Sequence, residues 1–385
     1  MKKVSTALVL ALIASCGGGE PQPADGGSVP TGADVPLPAI DMYLVIADSI
    51  GVEMGDSNYV FGMPMIAAHA PDGEIAVFDA QKMALLFYTP DGEFVRQVGR
   101  EGSGPGEFLM PSSFAFVPGG GLVVADAMSG KLTFFDSTYT YAREVSGFFP
   151  QPPAQIRCTA DGAVVGLQSV FEQDEEGMRL GFKLARWEGE DFEETVVYHE
   201  TLNPFDPTDI ASAIQENMFF FTTTDEGMVF RSPFSSSNFL IEGYQPDGTS
   251  CLMIEDDDYR RVPKSEEEIQ TEIDLVNERL SMAGVPPGTI EWEPDPYRPA
   301  VFGLFMDAGE HLWARLGYYR EVVFEVFDTD GNHVAYAMLD YPGDVDDLVT
   351  WQVIVDEQGI LAFDTSPEDY PRIYMLEESE EMPQD

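Results

Sequence analysis

Four histidines (His69, His199, His311, His333) and three cysteines (Cys16, Cys158, Cys251) are all the soft metal ligands and thiols in a chain of 385 residues. They lie far apart in the sequence, each in a different local context, so they predict neither a zinc cluster nor a disulfide scaffold. No Gly-x-Ser-x-Gly run occurs, which removes a nucleophile elbow. Acids are plentiful instead, with runs at Glu255-Asp256-Asp257-Asp258 and Asp344-Val345-Asp346-Asp347. Neither run has the alternating acid-and-glycine order of an EF-hand loop with its distal Glu. Their expected role is solvated charge on an acidic surface, with no resident cofactor; calcium is the one metal they leave open. Cys158 and Cys251 are expected as two buried free thiols.

Charge narrows the partners. Lys and Arg together number 20 against 68 Asp and Glu, a formal net charge of −48. A nucleic-acid binder needs a cationic face and is excluded; docking on anionic lipid needs one too and is disfavoured. Against that background each arginine is conspicuous, because a guanidinium grips a carboxylate with two parallel hydrogen bonds. Arg231 and Arg315 close apolar runs, as do Asp79, Asp126 and Asp364. If all five close the same strand of a repeated unit, three acids face two arginines around one opening. That arrangement suits a polar or zwitterionic ligand. The alternative is that each Asp bonds the backbone amides of its own loop.

These residues need a repeated scaffold, and the turns supply it. Short apolar β-rich runs flank Pro71-Asp72-Gly73, Pro90-Asp91-Gly92, Asp161-Gly162, Pro246-Asp247-Gly248 and Asp330-Gly331. Asp-Gly between such runs is a strong hairpin signal. The first-turn glycines Gly73, Gly120, Gly162, Gly227, Gly309 and Gly359 mark six copies, with longer gaps after Gly162 and Gly227. Six four-stranded copies predict an all-β, six-bladed β-propeller over residues 40–376. The sixth copy lacks its last strand. The spare run Met42-Tyr43-Leu44-Val45-Ile46 is expected to supply it and so remove an open sheet edge.

Around the propeller lie other segments. Met1-Lys2-Lys3 and the apolar run to Ile13 read as a signal too short to span a bilayer. Residues 16–39, rich in Gly, Pro and Asp, read as a flexible tether. Ser265 before Glu266-Glu267-Glu268, then Ile269, Ile273, Val276 and Leu280, predict an amphipathic helix within an insertion at 256–299, packed as a lid. Residues 377–385 read as a loose acidic tail.

Two resemblances add to this. Ile13-Ala14-Ser15-Cys16 resembles the bacterial lipobox, which implies removal of residues 1–15 and acylation of Cys16. It also implies an envelope location, in the outer membrane given Gly17, with the anchor as the only membrane contact. The segment Gly99-Arg100-Glu101-Gly102-Ser103-Gly104-Pro105-Gly106-Glu107-Phe108, with Pro111 after it, resembles the inter-blade segment of NHL-type six-bladed propellers. Its glycines do not have phosphate-loop spacing.

In such a ring the loops joining strands 1–2 and 3–4 open on one face, and here they are short turns. The long loops gather on the other face, at 99–110, 168–181, 200–216, 255–299, 340–350 and 364–372. Binding is expected on the long-loop face, through Arg100, Asp79, Asp126, Arg231, Arg315 and Asp364. The expected function is a monomeric binding or scaffold module for a protein, peptide or glycan, without catalysis. The rival is a calcium-dependent lactonase or esterase of propeller fold. Against it, the asparagines Asn58, Asn203, Asn238, Asn277 and Asn332 do not recur at channel positions.

Overall fold

A short β-run flanked by tight turns has two apolar faces and cannot bury both alone; stacking such sheets around an axis buries both. The computed structural model describes residues 36–148, 150–174, 177–204, 217–282, 294–318, 321–341, 350–365 and 369–380. Strand β1 (Met42–Ile50) precedes the ring. Blade 1 is β2 (Pro64–His69), β3 (Ile75–Asp79), β4 (Ala84–Tyr88) and β5 (Phe94–Val98). Blade 2 is β6 (Pro111–Phe116), β7 (Leu122–Asp126), β8 (Lys131–Phe135) and β9 (Tyr141–Ser146). Blade 3 is β10 (Ala154–Cys158), β11 (Val164–Asp174), β12 (Gly177–Glu188) and β13 (Glu193–Glu200), with the short β14 (Asn203–Pro204) paired to β12.

Blade 4 is β15 (Phe219–Thr223), β16 (Val229–Pro233), β17 (Leu240–Tyr244) and β18 (Ser250–Glu255). Helix α1 (Glu266–Met282) follows it. Blade 5 is β19 (Val301–Met306), β20 (Leu312–Leu316), β21 (Val323–Phe327) and β22 (His333–Asp340). Blade 6 is β23 (Trp351–Asp356), β24 (Gly359–Asp364) and β25 (Ile373–Ser379). The fold is the expected all-β six-bladed propeller. The left-handed backbone at the Asp-Gly turns, with φ of 85° at Gly73 and 83° at Gly162, is a conformation glycine adopts without a Cβ clash.

Closure is tighter than the sequence suggested. β1 pairs antiparallel with β25, from Tyr43 opposite Ser379 to Ile50 opposite Ile373, and so completes blade 6. It also pairs parallel with β22, so blades 5 and 6 form one eight-stranded sheet. The β25 pairing runs on to Ser379, which takes Glu377 and Glu378 out of the expected tail. Six buried apolar clusters fill the seams between blades. Leu44, fully buried, lies in the seam of blades 5 and 6, and Ile50 in that of blades 6 and 1. One strand therefore closes the sheet and two seams.

Other expectations change. Segment 168–181, expected as a loop, prolongs β11 and β12 into a long hairpin paired from Val164–Trp187 to Asp174–Gly177. Cys251 is exposed on the outermost strand of blade 4, because that strand turns one face to solvent; Cys158 is half-buried, and burial pushes its thiol up to about 12. The lipobox with Cys16, the tether up to residue 35 and the Asp344–Asp347 run lie outside the described residues.

Candidate functional site

Three of the expected residues share one position. Asp79, Asp126 and Asp364 each pair with the first residue of their blade's inner strand, Pro64, Pro111 and Trp351. Asp79 is fully buried and accepts the backbone N–H groups of Gly62 (2.8 Å), Met63 (3.1 Å), Gln81 (3.0 Å) and Lys82 (3.3 Å). Asp126, equally buried, accepts those of Leu109 (2.6 Å), Met110 (3.2 Å) and Ser129 (2.9 Å). Asp364 accepts the Thr350 hydroxyl. Each carboxylate ties the incoming inter-blade loop to the end of the second strand. Charge-assisted bonds of this kind occupy the oxygens of Asp79 and Asp126.

The arginines do not sit opposite these acids, and none of the six expected residues bonds another. In blades 4 and 5 the register puts Pro233 and Leu316 opposite the first residues Phe219 and Val301. Arg231 lies two residues deeper, inside the seam of blades 3 and 4. There it pairs with Glu242 and stands 5.1 Å from the Phe219 ring centre. Arg315 lies one residue before Leu316, so its side chain leaves the opposite face of β20. It reaches the inner strand of blade 6, where its Nη1 donates to the Trp351 carbonyl at 3.0 Å. Its guanidinium stands 5.3 Å from the ring of Phe302, which packs with Phe220 and Phe234. Arg100 is exposed and bonds Glu107 at 2.6 and 2.8 Å within its own loop.

Arg315 is unlike its peers. The buried arginines among the described residues are Arg186, Arg231, Arg298 and Arg315. The first three hold Asp161 and Glu188, Glu242, and Glu268 respectively. Arg315 has no carboxylate partner among the described residues. Desolvation alone pulls its pKa down to about 10, which leaves it charged at neutral pH.

The insertion borders this end of the ring. Ser265 caps α1, its hydroxyl accepting the Glu268 N–H at 3.2 Å while the Glu268 carboxylate accepts the Ser265 N–H. The apolar positions Ile269 and Ile273 are only half-buried. The helix is held by acids as well: Glu268 on Arg298, and Glu272 on Lys264 at 2.8 Å. Burial pushes the Glu272 carboxyl up to about 7, against the lowering pull of Lys264.

The sequence reading missed the other end of the channel. Arg157 stands one residue from the end of β10, beside the Asp161-Gly162 turn. A bulge between Ala154 and Arg157, with Gln155 at φ 50°, bends that strand. Among the described residues Arg157 donates to its own strand's carbonyls, Ile156 at 3.0 Å and Gln155 at 3.4 Å, and it lies 5.9 Å from the Phe221 ring. Desolvation pulls its pKa down; the charge of Asp356 acts the other way. Asp356 is itself taken by His69, through the backbone N–H and Nδ1 at 2.9 Å each, and by the Gln358 N–H at 3.0 Å.

The turns around Arg157 are acidic. The Glu357 carboxyl is pushed up to about 7 by burial first and then by the nearby negative groups Asp225 and Asp356. A pocket of about 260 Å³, lined by Asp307, Asp356, Glu357 and Glu378 among others, opens on this short-turn face. Turns of two adjacent blades, 307–309 and 356–359, wall it together. Only the lone arginine in β10 hinted at this in the sequence. Among the described residues no three His, Cys, Asp or Glu side chains stand close enough to hold a metal ion.

Comparison with known proteins agrees with the fold. Residues 53–149 match a family described as 6-bladed beta-propeller. No protein of curated function matches the chain by sequence. A DUF4221-family protein from Bacteroides vulgatus is similar in structure with a TM-score of 0.51 at 10% identity, over 88% of this chain and 99% of that one. A Bacteroides fragilis protein named as exported has a TM-score of 0.48 at 12% identity, over 88% and 95%. A gluconolactonase from Xanthomonas campestris has a TM-score of 0.42 at 13% identity, over 87% and 97%.

Proposed function

We propose that the chain is an envelope module, anchored through an acylated Cys16, that binds a carboxylate-bearing peptide, protein or glycan on its long-loop face and performs no chemistry itself. The observation that carries this is Arg315. A buried guanidinium without a counter-ion costs several kcal/mol unless something supplies the missing charge. In a chain with 68 acids, a partner from within was easy to provide. The rings of Phe302, Phe220 and Phe234 beside Arg315 offer an apolar wall for the part of a ligand that follows its carboxylate. Tethering by the segment 16–39 would hold the module at a membrane surface.

The calcium-dependent esterase reading would need acids of the channel mouth as ligands. Asp79 and Asp126 already bond backbone N–H groups there.

The test is capture of a peptide pool with free C-termini against the same pool amidated, with a uronate oligosaccharide against its neutral counterpart. Arg315→Gln is expected to weaken carboxylate-dependent capture at least tenfold, with Arg100→Gln as the exposed control. Equal capture by wild type and Arg315→Gln overturns the assignment. Intact mass of the mature chain checks the anchor: lipid on Cys16 is expected, and its absence removes that part of the reading.

A further inference from the structure

We infer, resting on the reading of Arg315 as an unfilled carboxylate site, that its ligand is a slender diacid: one carboxylate meets Arg315, an apolar stretch follows, and a second carboxylate meets Arg157 deeper in the same channel. Four inner strands place both guanidiniums around the axis. Arg157 belongs to β10 and stands by the Phe221 ring of β15. Arg315 bonds the carbonyl of Trp351 in β23 and stands by the Phe302 ring of β19. Each of these four strands ends its sheet, with a strand partner on one side, so its other edge borders the central channel.

The two heads sit at different depths. Trp351 opens β23 at the long-loop end, while Arg157 is the fourth residue of β10 and next to its last. Three residue steps of ~3.3 Å separate the two levels by roughly 10 Å. Blades 3 and 6 also face each other across a ring of six, so the pair spans the channel as well as its depth. Phe220 and Phe221 are neighbours on β15: Phe220 packs on the Phe302 ring beside Arg315, and Phe221 lies beside Arg157. An apolar chain joining two carboxylates would run past these rings.

Both guanidiniums are also reachable. Among the described residues each donates through Nη1 alone, Arg157 to the Gln155 and Ile156 carbonyls and Arg315 to that of Trp351. The Nε atoms of Arg231 and Arg261 are sealed from solvent without a hydrogen-bond partner, whereas no nitrogen of Arg157 or Arg315 is. Their unbonded nitrogens therefore touch channel water, which a ligand can displace. Nε and Nη2 together form the edge that takes a carboxylate in two parallel bonds. The acid that competes for Arg157, Asp356, is already held by His69 and by the Gln358 N–H. A monoacid leaves one guanidinium unfilled. A diacid fills both, and its second contact is made within a complex already formed, which adds affinity at little further entropic cost.

The experiment is titration calorimetry with suberate, its one-headed counterpart octanoate and the shorter succinate at constant ionic strength, with melting curves alongside. Suberate is expected to bind at least tenfold more tightly than either and to raise the melting temperature. In Arg157→Gln its advantage over octanoate should fall below twofold. Arg157→Lys, which keeps the charge but loses the two-pronged edge, should retain part of it. No heat with suberate, equal binding of suberate and octanoate, or an undiminished advantage in Arg157→Gln overturns the diacid and leaves Arg315 with a ligand of one carboxylate. The reading of Arg315 itself fails by a different result, equal peptide capture by wild type and Arg315→Gln.

Discussion

Arg231 and Arg315 occupy adjacent blades, both in second strands and both buried, yet their surroundings differ. Arg231 lies in the seam of blades 3 and 4, where the cross-strand neighbour Glu242 supplies its charge. Arg315 points from the seam to the inner strand of blade 6 and finds a carbonyl. The first is part of how two strands of one blade are held in register. The second carries a charge that no carboxylate among the described residues neutralises. A buried ion makes a structural contribution only through its partner, so the same residue type is a clasp in one place and an unfilled recognition group in the other.

The largest effect should come from breaking the clasp. Arg231→Met leaves Glu242 without its cation and is expected to cost about 3 kcal/mol. Urea unfolding followed by tryptophan fluorescence measures it, and Arg231→Met with Glu242→Leu should regain most of the loss. A cost below about 0.5 kcal/mol would make the two arginines equivalent and dissolve the contrast.

Arg315→Met should move the other way. It removes an uncompensated charge and gives up one bond to a carbonyl, for a net gain of about 1 kcal/mol in the same urea experiment. A loss as large as that of Arg231→Met would show Arg315 to be a structural group.

The smallest effect concerns the helix beside Arg315. Glu272 has its folded pKa raised from 4.5 to about 7. A raised carboxyl stabilises the folded form below its unfolded pKa, and the contribution is lost as pH rises through 7. Hydrogen exchange over 266–274, corrected for intrinsic rates, should therefore slow as pH falls from 8 to 5.5. In Glu272→Gln that slowing should largely disappear; an unchanged pH response there would assign it to the other acids of the insertion.

Much of this was legible before the structure. The Asp-Gly turns, the recurring apolar runs and the spare strand at Tyr43–Ile46 each carry local information, and the propeller follows from them. Even Asp79, Asp126 and Asp364 were legible as one position, because each ends a five- or six-residue strand. Arg315 was found for the right scarcity but placed one residue off. A slip of one turns a strand residue to the other face, and the bulge between Val301 and Gly303 that fixes the register leaves no mark in composition.

What the sequence determined by itself was the repeat, its turns and its way of closing, since a glycine at positive φ and a short β-run are properties of a few neighbouring residues. Which charges meet is settled by the assembled ring. Ring closure sets His69 against Asp356, 287 residues apart in the chain. Among the described residues it leaves Arg157 and Arg315 hydrogen-bonded to backbone carbonyls and not to carboxylates. Such pairings depend on where whole sheets stand around an axis, and that is settled by the packing of every seam together.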